Sequence, residues 1–350
     1  MNVLVTGNRG YVGSVLTKIL VEKGYSVTGL DANFYKECNF EEPDTDITQI
    51  NKDIRNVSKN DLKDIDAVIH LAALSNDPLG EFDPQLTHDI NFLSTVKLAE
   101  YAKEQGVQRF IYSSSQSMYG ISTTSDELEE DKCEKNPLTE YAKTKWDAEC
   151  SLKNLCSDDF TVVCFRPSTV FGVSPSMRCD IVYNNLVACA YTTGTIEIKS
   201  DGTPWRPVIH VRDVSSAFIS GLQAPVELVS GESFNIGIKN GNYTVRELAE
   251  AAQKVVPGSN LIFTGEHGSD SRTYKVSFKK ILNLLKDYYK PEWNLMKGGT
   301  ELVDYFNKIN FTEEIFRSRR CNRLPQLKYL IENDYLDNKL FWKKNICETI

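Results

Sequence analysis

The sequence predicts an α/β fold: a doubly wound parallel sheet, with a smaller mixed lobe drawn from the C-terminal half. Short apolar runs alternate with helix-length patterns through the first half, a glycine-rich turn follows the first run, and an acidic residue closes the second. Strands alternating with helices of this length imply βαβ units, and ligands of such sheets sit beyond the carboxyl ends of the strands.

Val3-Leu4-Val5 is the first strand, Val12 to Lys23 the first helix, and Tyr25 to Leu30 the second strand. A third strand precedes Asp53, and Ala67 to Leu71 is the fourth. Thr87 to Glu104 reads as a helix, Arg109 to Tyr112 as a strand, the segment holding Tyr141 as a helix, and Phe160 to Phe165 as a strand. From Gly172 the pattern loosens into a helix over Ile181 to Tyr191, a short strand at Ile196 to Ile198 and a Pro-containing stretch from Asp201 to Pro207. Val208 to Val211 and Ser233 to Ile236 read as strands returning to the sheet. Helices near Thr300 to Lys308, Thr312 to Arg320 and Leu324 to Asn333 are placed over it as part of the smaller lobe.

The chain has 350 residues and a net charge of -8, with a pI near 5.3. That acidity argues against a general nucleic-acid binder, which needs a basic surface. Its nine cysteines are scattered, without a Cys-x-x-Cys pair or Cys/His cluster, so they read as reduced thiols with no structural metal site. The first strand starts at Asn2, leaving no room for a cleavable leader, and no apolar run is long enough to cross a bilayer. A cytoplasmic protein without membrane or nucleic-acid partners is expected. His70 and His210, in apolar strand contexts, read as core histidines, and Arg317, Arg319, Arg320 and Arg323 as a solvated helical face.

Gly7-Asn8-Arg9-Gly10-Tyr11-Val12-Gly13 lies between the first strand and the first helix. Glycines there allow a tight turn and close backbone approach, and the helix N-terminus faces a pyrophosphate. Asp31, at the end of the second strand, can bind the adenosine ribose hydroxyls and repel a 2′-phosphate, which favours NAD over NADP. Arg9 complicates this, because its guanidinium suits any phosphate. Asp53-Ile54, Leu71-Ala72-Ala73 and Asn91 fall where adenine, pyrophosphate and ribose are approached. Residues 1–170, with returning segments near 208–237, thus form a Rossmann-type dinucleotide domain, and 171–350 mainly a substrate-binding lobe.

Tyr141 and Lys145 share a helix face. A Tyr acting as base near neutral pH requires about 1.4 kcal/mol for each unit of pKa lowering. An ammonium at about 4 Å in a partly screened site supplies about 4 kcal/mol.

Together with His70-Leu71-Ala72-Ala73, Ser113 to Gly120, Arg166-Pro167 and Pro207 to Asp213, these motifs resemble the extended short-chain dehydrogenase/reductase family, in its nucleotide-sugar epimerase/dehydratase branch. The resemblance implies a triad of Ser115, Tyr141 and Lys145, with Ser117 the other candidate hydroxyl, and NAD held also by Ser113 and Pro167. It further implies a nucleoside-diphosphate sugar contacted by Ser75, Asn185, Arg206 and Arg272, and pairing as a homodimer. Dehydrating relatives have an Asp-Glu pair after the catalytic hydroxyl; here Gln116 and Ser117 stand instead. The implied reaction is therefore epimerisation at C4 through a transient 4-keto sugar. A 4-ketosugar reductase and a non-catalytic dinucleotide sensor are the competing readings.

Overall fold

The structure, a computed structural model, describes residues 1–42, 47–121, 126–266 and 273–343. Val3, Leu4 and Val5 are fully buried because their strand, β1 (Asn2–Thr6), lies inside a parallel sheet and is covered on both faces. β2 (Ser26–Asp31), β3 (Thr48–Asn51), β4 (Ala67–His70), β5 (Arg109–Ser113) and β6 (Thr161–Pro167) follow in that sheet. β7 (Thr169–Phe171), β8 (Thr195–Ile198) and β9 (Trp205–His210) lie outside it, and β10 (Ser233–Ile236) completes its seven-stranded order, β10-β6-β5-β4-β1-β2-β3. All six of its pairings are parallel.

The chain runs outward from β1 to β3 and then restarts on the other side at β4, so the strand order reverses between β1 and β4. Register aligns the carboxyl ends there: Thr6 is opposite His70, and His70 opposite Tyr112. The turns after these strands therefore open into one crevice. His70 is a core residue, with Nδ1 on the Thr6 hydroxyl at 2.6 Å and Nε2 on that of Thr95 at 2.7 Å.

Of the two segments expected to return to the sheet, only Ser233 to Ile236 does so, beside β6. β9 instead pairs in parallel with β7 and antiparallel with β11 (Asn242–Thr244). The apolar character of Val208 to Val211 demanded burial but did not choose an edge, and β7, two residues beyond β6, takes it. β8 and β12 (Asn260–Phe263) form a separate parallel pair. The lobe has its own core, in which helices Val182–Thr193, Val245–Val255 and Leu295–Lys308 bury Tyr183, Leu248, Leu302 and Phe306. There His210 stacks on Trp293 and meets Glu301.

The chain beyond Cys321 does not stay with the lobe. Leu327 and Leu330, in helix Arg323–Glu332, together with Leu336 and Leu340, join the core that contains Leu4, Val68 and Phe110. Trp342 Nε1 donates to the Ala32 carbonyl at 2.6 Å, and Gln326 Nε2 to that of Phe34 at 3.3 Å. The expected solvated arginine face is accordingly absent. Arg319 stacks on Tyr329 and pairs with Glu37, Arg320 covers Phe40 and donates to the Asn39 carbonyl, and Arg323 is 2% exposed. Of the four, Arg317 keeps the expected surroundings, half exposed beside Glu313 one turn back.

Candidate active site

The crevice at the strand reversal is a cleft of 580 Å³. Its floor is the glycine turn. Gly7 has φ +71°, and a Cβ there would lie 2.8 Å from the Ala72 nitrogen; a Cβ on Gly13 would lie 2.0 Å from the Gly7 carbonyl oxygen. Only glycine lets the turn, the β4 loop and the first helix approach this closely. Helix Tyr11–Glu22 begins after Gly10 with no side-chain cap, so its first amides face the cleft. This bare backbone cradle fits the pyrophosphate of a dinucleotide.

Asp31 stands at the far end of the cradle, its oxygens accepting from the backbone nitrogens of Arg9 at 3.1 Å and Asn33 at 2.7 Å. Burial pushes its carboxyl above the ordinary range, and those two hydrogen bonds oppose the rise. The Arg9 side chain lines a separate cavity with Asn33, Lys36 and Gln49, rather than the crevice. Asp53 and Ile54 line the crevice, but the Asp53 carboxylate is held by Arg55 at 2.7 to 2.9 Å. Leu71, Ala72 and Ala73 form the opposite wall. Asn91 lies behind that wall in a π-helical turn, donating to the Leu74 carbonyl and accepting from the Leu74 nitrogen, so it shapes the loop instead of facing a ligand.

Helix Glu140–Leu155 brings Tyr141 and Lys145 to the same crevice. Thr139 caps it, accepting from the Ala142 nitrogen and donating to Asp77 at 2.6 Å. Short helix Asp77–Gly80 presses on Tyr141 so closely that a Cβ on Gly80 would lie 2.8 Å from the Tyr141 Cβ. Ser113, Ser115 and Pro167 reach the cleft from the ends of β5 and β6. Ser115 hydrogen-bonds the Tyr141 phenol, whereas Ser117 sits 2.8 Å from the Ser115 hydroxyl as its neighbour. Lys145 donates to the Ser113 carbonyl at 2.7 Å and lies over the Tyr112 ring.

The electrostatics differ from those expected of the Tyr/Lys pair. Burial pushes the Tyr141 phenol up to about 12, with the Ser115 hydrogen bond opposing and Asp77 adding to the rise. Burial also pushes Lys145 down to about 7. A desolvated ammonium holds its proton less readily, so Lys145 acidifies the phenol less than a fully charged neighbour would.

One helical turn beyond Lys145, Glu149 is fully buried against Arg166, with contacts of 2.6 to 3.2 Å. Ser114 and Ser233 each donate to it at 2.6 Å, and Arg166 also donates to Tyr119 at 2.9 Å. Burial raises the carboxyl, but Arg166 and those hydrogen bonds outweigh it and hold it below the usual range. Ser114 thus anchors the loop that presents Ser115. Gln116 donates to the carbonyls of Arg166 at 2.9 Å and Ile236 at 3.2 Å, pointing its amide away from proton chemistry.

On the opposite side the cleft is lined by Ser75, Asn76, Arg178, Asp180, Arg206 and Tyr274. Arg178 forks onto Asp180 through two 2.8 Å bonds and donates to Ser75 at 3.1 Å. Asn185 is turned away, donating to the Cys179 carbonyl at 2.9 Å, and Arg272 lies outside the described residues. Arg178, Asp180 and Arg323 line the cleft without having been singled out as site residues; the close Arg178/Asp180 spacing was a faint signal for the first two.

Residues 3–237 match the NAD dependent epimerase/dehydratase family. The chain is similar to a UDP-glucose 4-epimerase of Bacillus subtilis (strain 168), 29% identical over 285 residues, covering 73% of this chain and 82% of the relative. It is similar to UDP-glucuronic acid decarboxylase 2 of Arabidopsis thaliana, 27% identical over 90% of this chain and 70% of that one. Among solved structures it resembles UDP-glucuronic acid 4-epimerase from Bacillus cereus in complex with NAD, with a TM-score of 0.75 and 26% identity over 88% of this chain and 97% of that one.

Proposed function

The chain belongs to the NAD dependent epimerase/dehydratase family, and from that premise we propose that it epimerises a nucleoside-diphosphate hexose at C4 through a transient 4-keto sugar. One observation carries this reading: among the described residues, the cleft offers a hydroxyl, a phenol and an amine, but no free carboxylate. The carboxylates lining it are Asp31, Asp53, Asp77 and Asp180. Asp31 is held by backbone amides, Asp53 by Arg55, Asp77 by Thr139 and Asp180 by Arg178. Eliminating water or abstracting the C5 proton calls for an independent acid or base, whereas oxidation and re-reduction at C4 does not.

NAD, when bound, supplies the hydride acceptor. Tyr141 takes the proton from the C4 hydroxyl and returns it to the same oxygen, and Ser115 hydrogen-bonds that oxygen as it gains carbonyl character. Lys145 would hold the nicotinamide ribose, and its protonated form would acidify Tyr141. Arg206 and Arg178 line the cleft and would grip the sugar diphosphate, guanidinium planes suiting phosphate oxygens. Residues 1–170, with helix Val211–Gln223 and strand Ser233–Ile236, act as the NAD-binding part, and 171–350 otherwise mainly as the substrate lobe.

A cytoplasmic homodimer completes the proposal. Free thiols support the compartment, eight of them among the described residues. Helices Ser94–Glu104 and Glu140–Leu155, packed side by side, support a four-helix contact between copies. The test is to identify the nucleotide that copurifies and to incubate the protein with UDP-, dTDP-, GDP- and CDP-hexoses. Bound NAD with a reversible change at C4 is expected; net consumption of reduced nicotinamide with a keto-sugar would make it a reductase.

A further inference from the structure

Arg323 opens the C-terminal helix Arg323–Glu332 and is a buried cation with an unused donor. Its Nη2 donates to the carbonyl and hydroxyl oxygens of Ser176 at 2.7 and 2.8 Å, and its guanidinium lies 4.6 Å over the Tyr35 ring. These neighbours, and the Cys38 thiol that also meets the guanidinium, are neutral, burial holding the thiol protonated. Nη1 is buried and has no partner, a costly state for a charged group unless something else satisfies it.

That something has a defined place. Arg323, Asn322, Leu324 and Pro325 line the same cleft as Gly10 to Gly13 and Asp31. The same cleft holds the carboxyls of Asp31 and Asp180, together with Tyr141 and Lys145. Each carboxyl is already engaged, Asp31 by the amides of Arg9 and Asn33 and Asp180 by Arg178. The anion for which Arg323 is built therefore comes from the ligand.

We propose that the Arg323 guanidinium binds the pyrophosphate of the dinucleotide, so that the C-terminal segment closes the cofactor cleft opposite the glycine turn. Gln326 on Phe34 and Trp342 on Ala32 tether that segment to the loop after β2. This extends the NAD reading by adding a guanidinium to a cradle otherwise made of backbone amides, and it gives the cofactor a wall that must move before it can leave. Such retention suits an enzyme that regenerates its cofactor in every turnover.

The test compares adenosine, ADP and NAD binding, by calorimetry, to the nucleotide-stripped full-length protein and its Arg323→Met and Arg323→Lys variants. ADP carries the phosphate and adenosine does not. Arg323→Met is expected to weaken ADP and NAD about 10- to 100-fold, the range for a lost charge-assisted hydrogen bond, and to leave adenosine unchanged. Arg323→Lys keeps the charge and should lose less. Unchanged ADP affinity, or equal weakening of ADP and adenosine, overturns the proposal. Should neither variant fold, deuterium exchange of the wild type decides: ADP but not adenosine is expected to slow exchange over residues 319–332, and equal or no slowing overturns it. A wild type that binds none of the three ligands would instead overturn the dinucleotide reading of the cleft.

Discussion

Arg166 meets Glu149 at 2.6 Å with both side chains sealed from solvent, directly beneath the loop that presents Ser115. Removing one partner of such a pair leaves the other charge buried. Glu149→Gln is expected to destabilise the fold by about 3 to 5 kcal/mol. The Glu149 carboxyl is held below its ordinary range in the fold. Its contribution is therefore present above that range and lost as pH falls through it. Urea unfolding at pH 7 and pH 4 checks this: the gap between wild type and variant should be wide at pH 7 and narrower at pH 4, and equal gaps would count against it.

Lys145 gives a slope of the same sign in a higher pH window, where a burial penalty on its charged form is relieved. Its pKa falls from the ordinary 10.5 to about 7 in the fold. Between those values the unfolded chain carries a proton that the folded protein lacks, so this group makes stability rise with pH there, by about 1.4 kcal/mol per pH unit. Lys145→Met should remove that slope from nucleotide-free protein. Unfolding free energies of the two proteins at pH 7, 8 and 9 should diverge, the wild type gaining relative to the variant; parallel curves would show that Lys145 is charged in the empty cleft.

The hydrogen-bond geometry separates the two serines. A hydrogen bond from Ser115 lowers the pKa of the Tyr141 phenol, whereas Ser117 meets the Ser115 hydroxyl with its own hydroxyl and nitrogen. Tyr141→Phe should lower the rate by about 10²- to 10⁴-fold, the usual contribution of a positioned base. Ser115→Ala should lower it substantially and Ser117→Ala little. Steady-state rates on the best hexose substrate measure this, and a Ser117→Ala defect as large as that of Ser115→Ala would reverse the assignment.

Gly13→Ala is expected to lose its bound nucleotide. A Cβ at 2.0 Å from the Gly7 carbonyl cannot be accommodated by moving a side chain, because its neighbour is backbone. Absorbance and mass analysis of protein released from the variant should find no dinucleotide; an undiminished load would mean that the turn yields without harm to the cradle.

The parts of the site built from local spacing were legible in the sequence. The glycine turn, Asp31, and Tyr141 with Lys145 depend on neighbours within one turn or one strand end, and apolar runs such as Ala67 to Ile69 are continuous because both faces of β4 are covered. What escaped depends on chain folding back from far away. Arg323 comes to the cleft across more than 280 residues from Tyr35, and in sequence it is simply one more charge in an arginine-rich stretch. Arg178 is silent until Asp180 and Ser75 surround it. Asn91 and Asn185 occupy motif positions, yet their amides serve the backbones of Leu74 and Cys179. β9 carried the apolar signature of a strand without any mark of which sheet would take it.

The proposed reaction turns on the return, to the same sugar, of the hydride and proton removed at C4. It is tested most directly with a nucleotide hexose carrying deuterium at C4, turned over by the holoenzyme in ordinary water. The epimerised product should keep the deuterium at C4 and take up no solvent hydrogen at C5. Loss of the label to solvent, or solvent hydrogen appearing at C5, would contradict it.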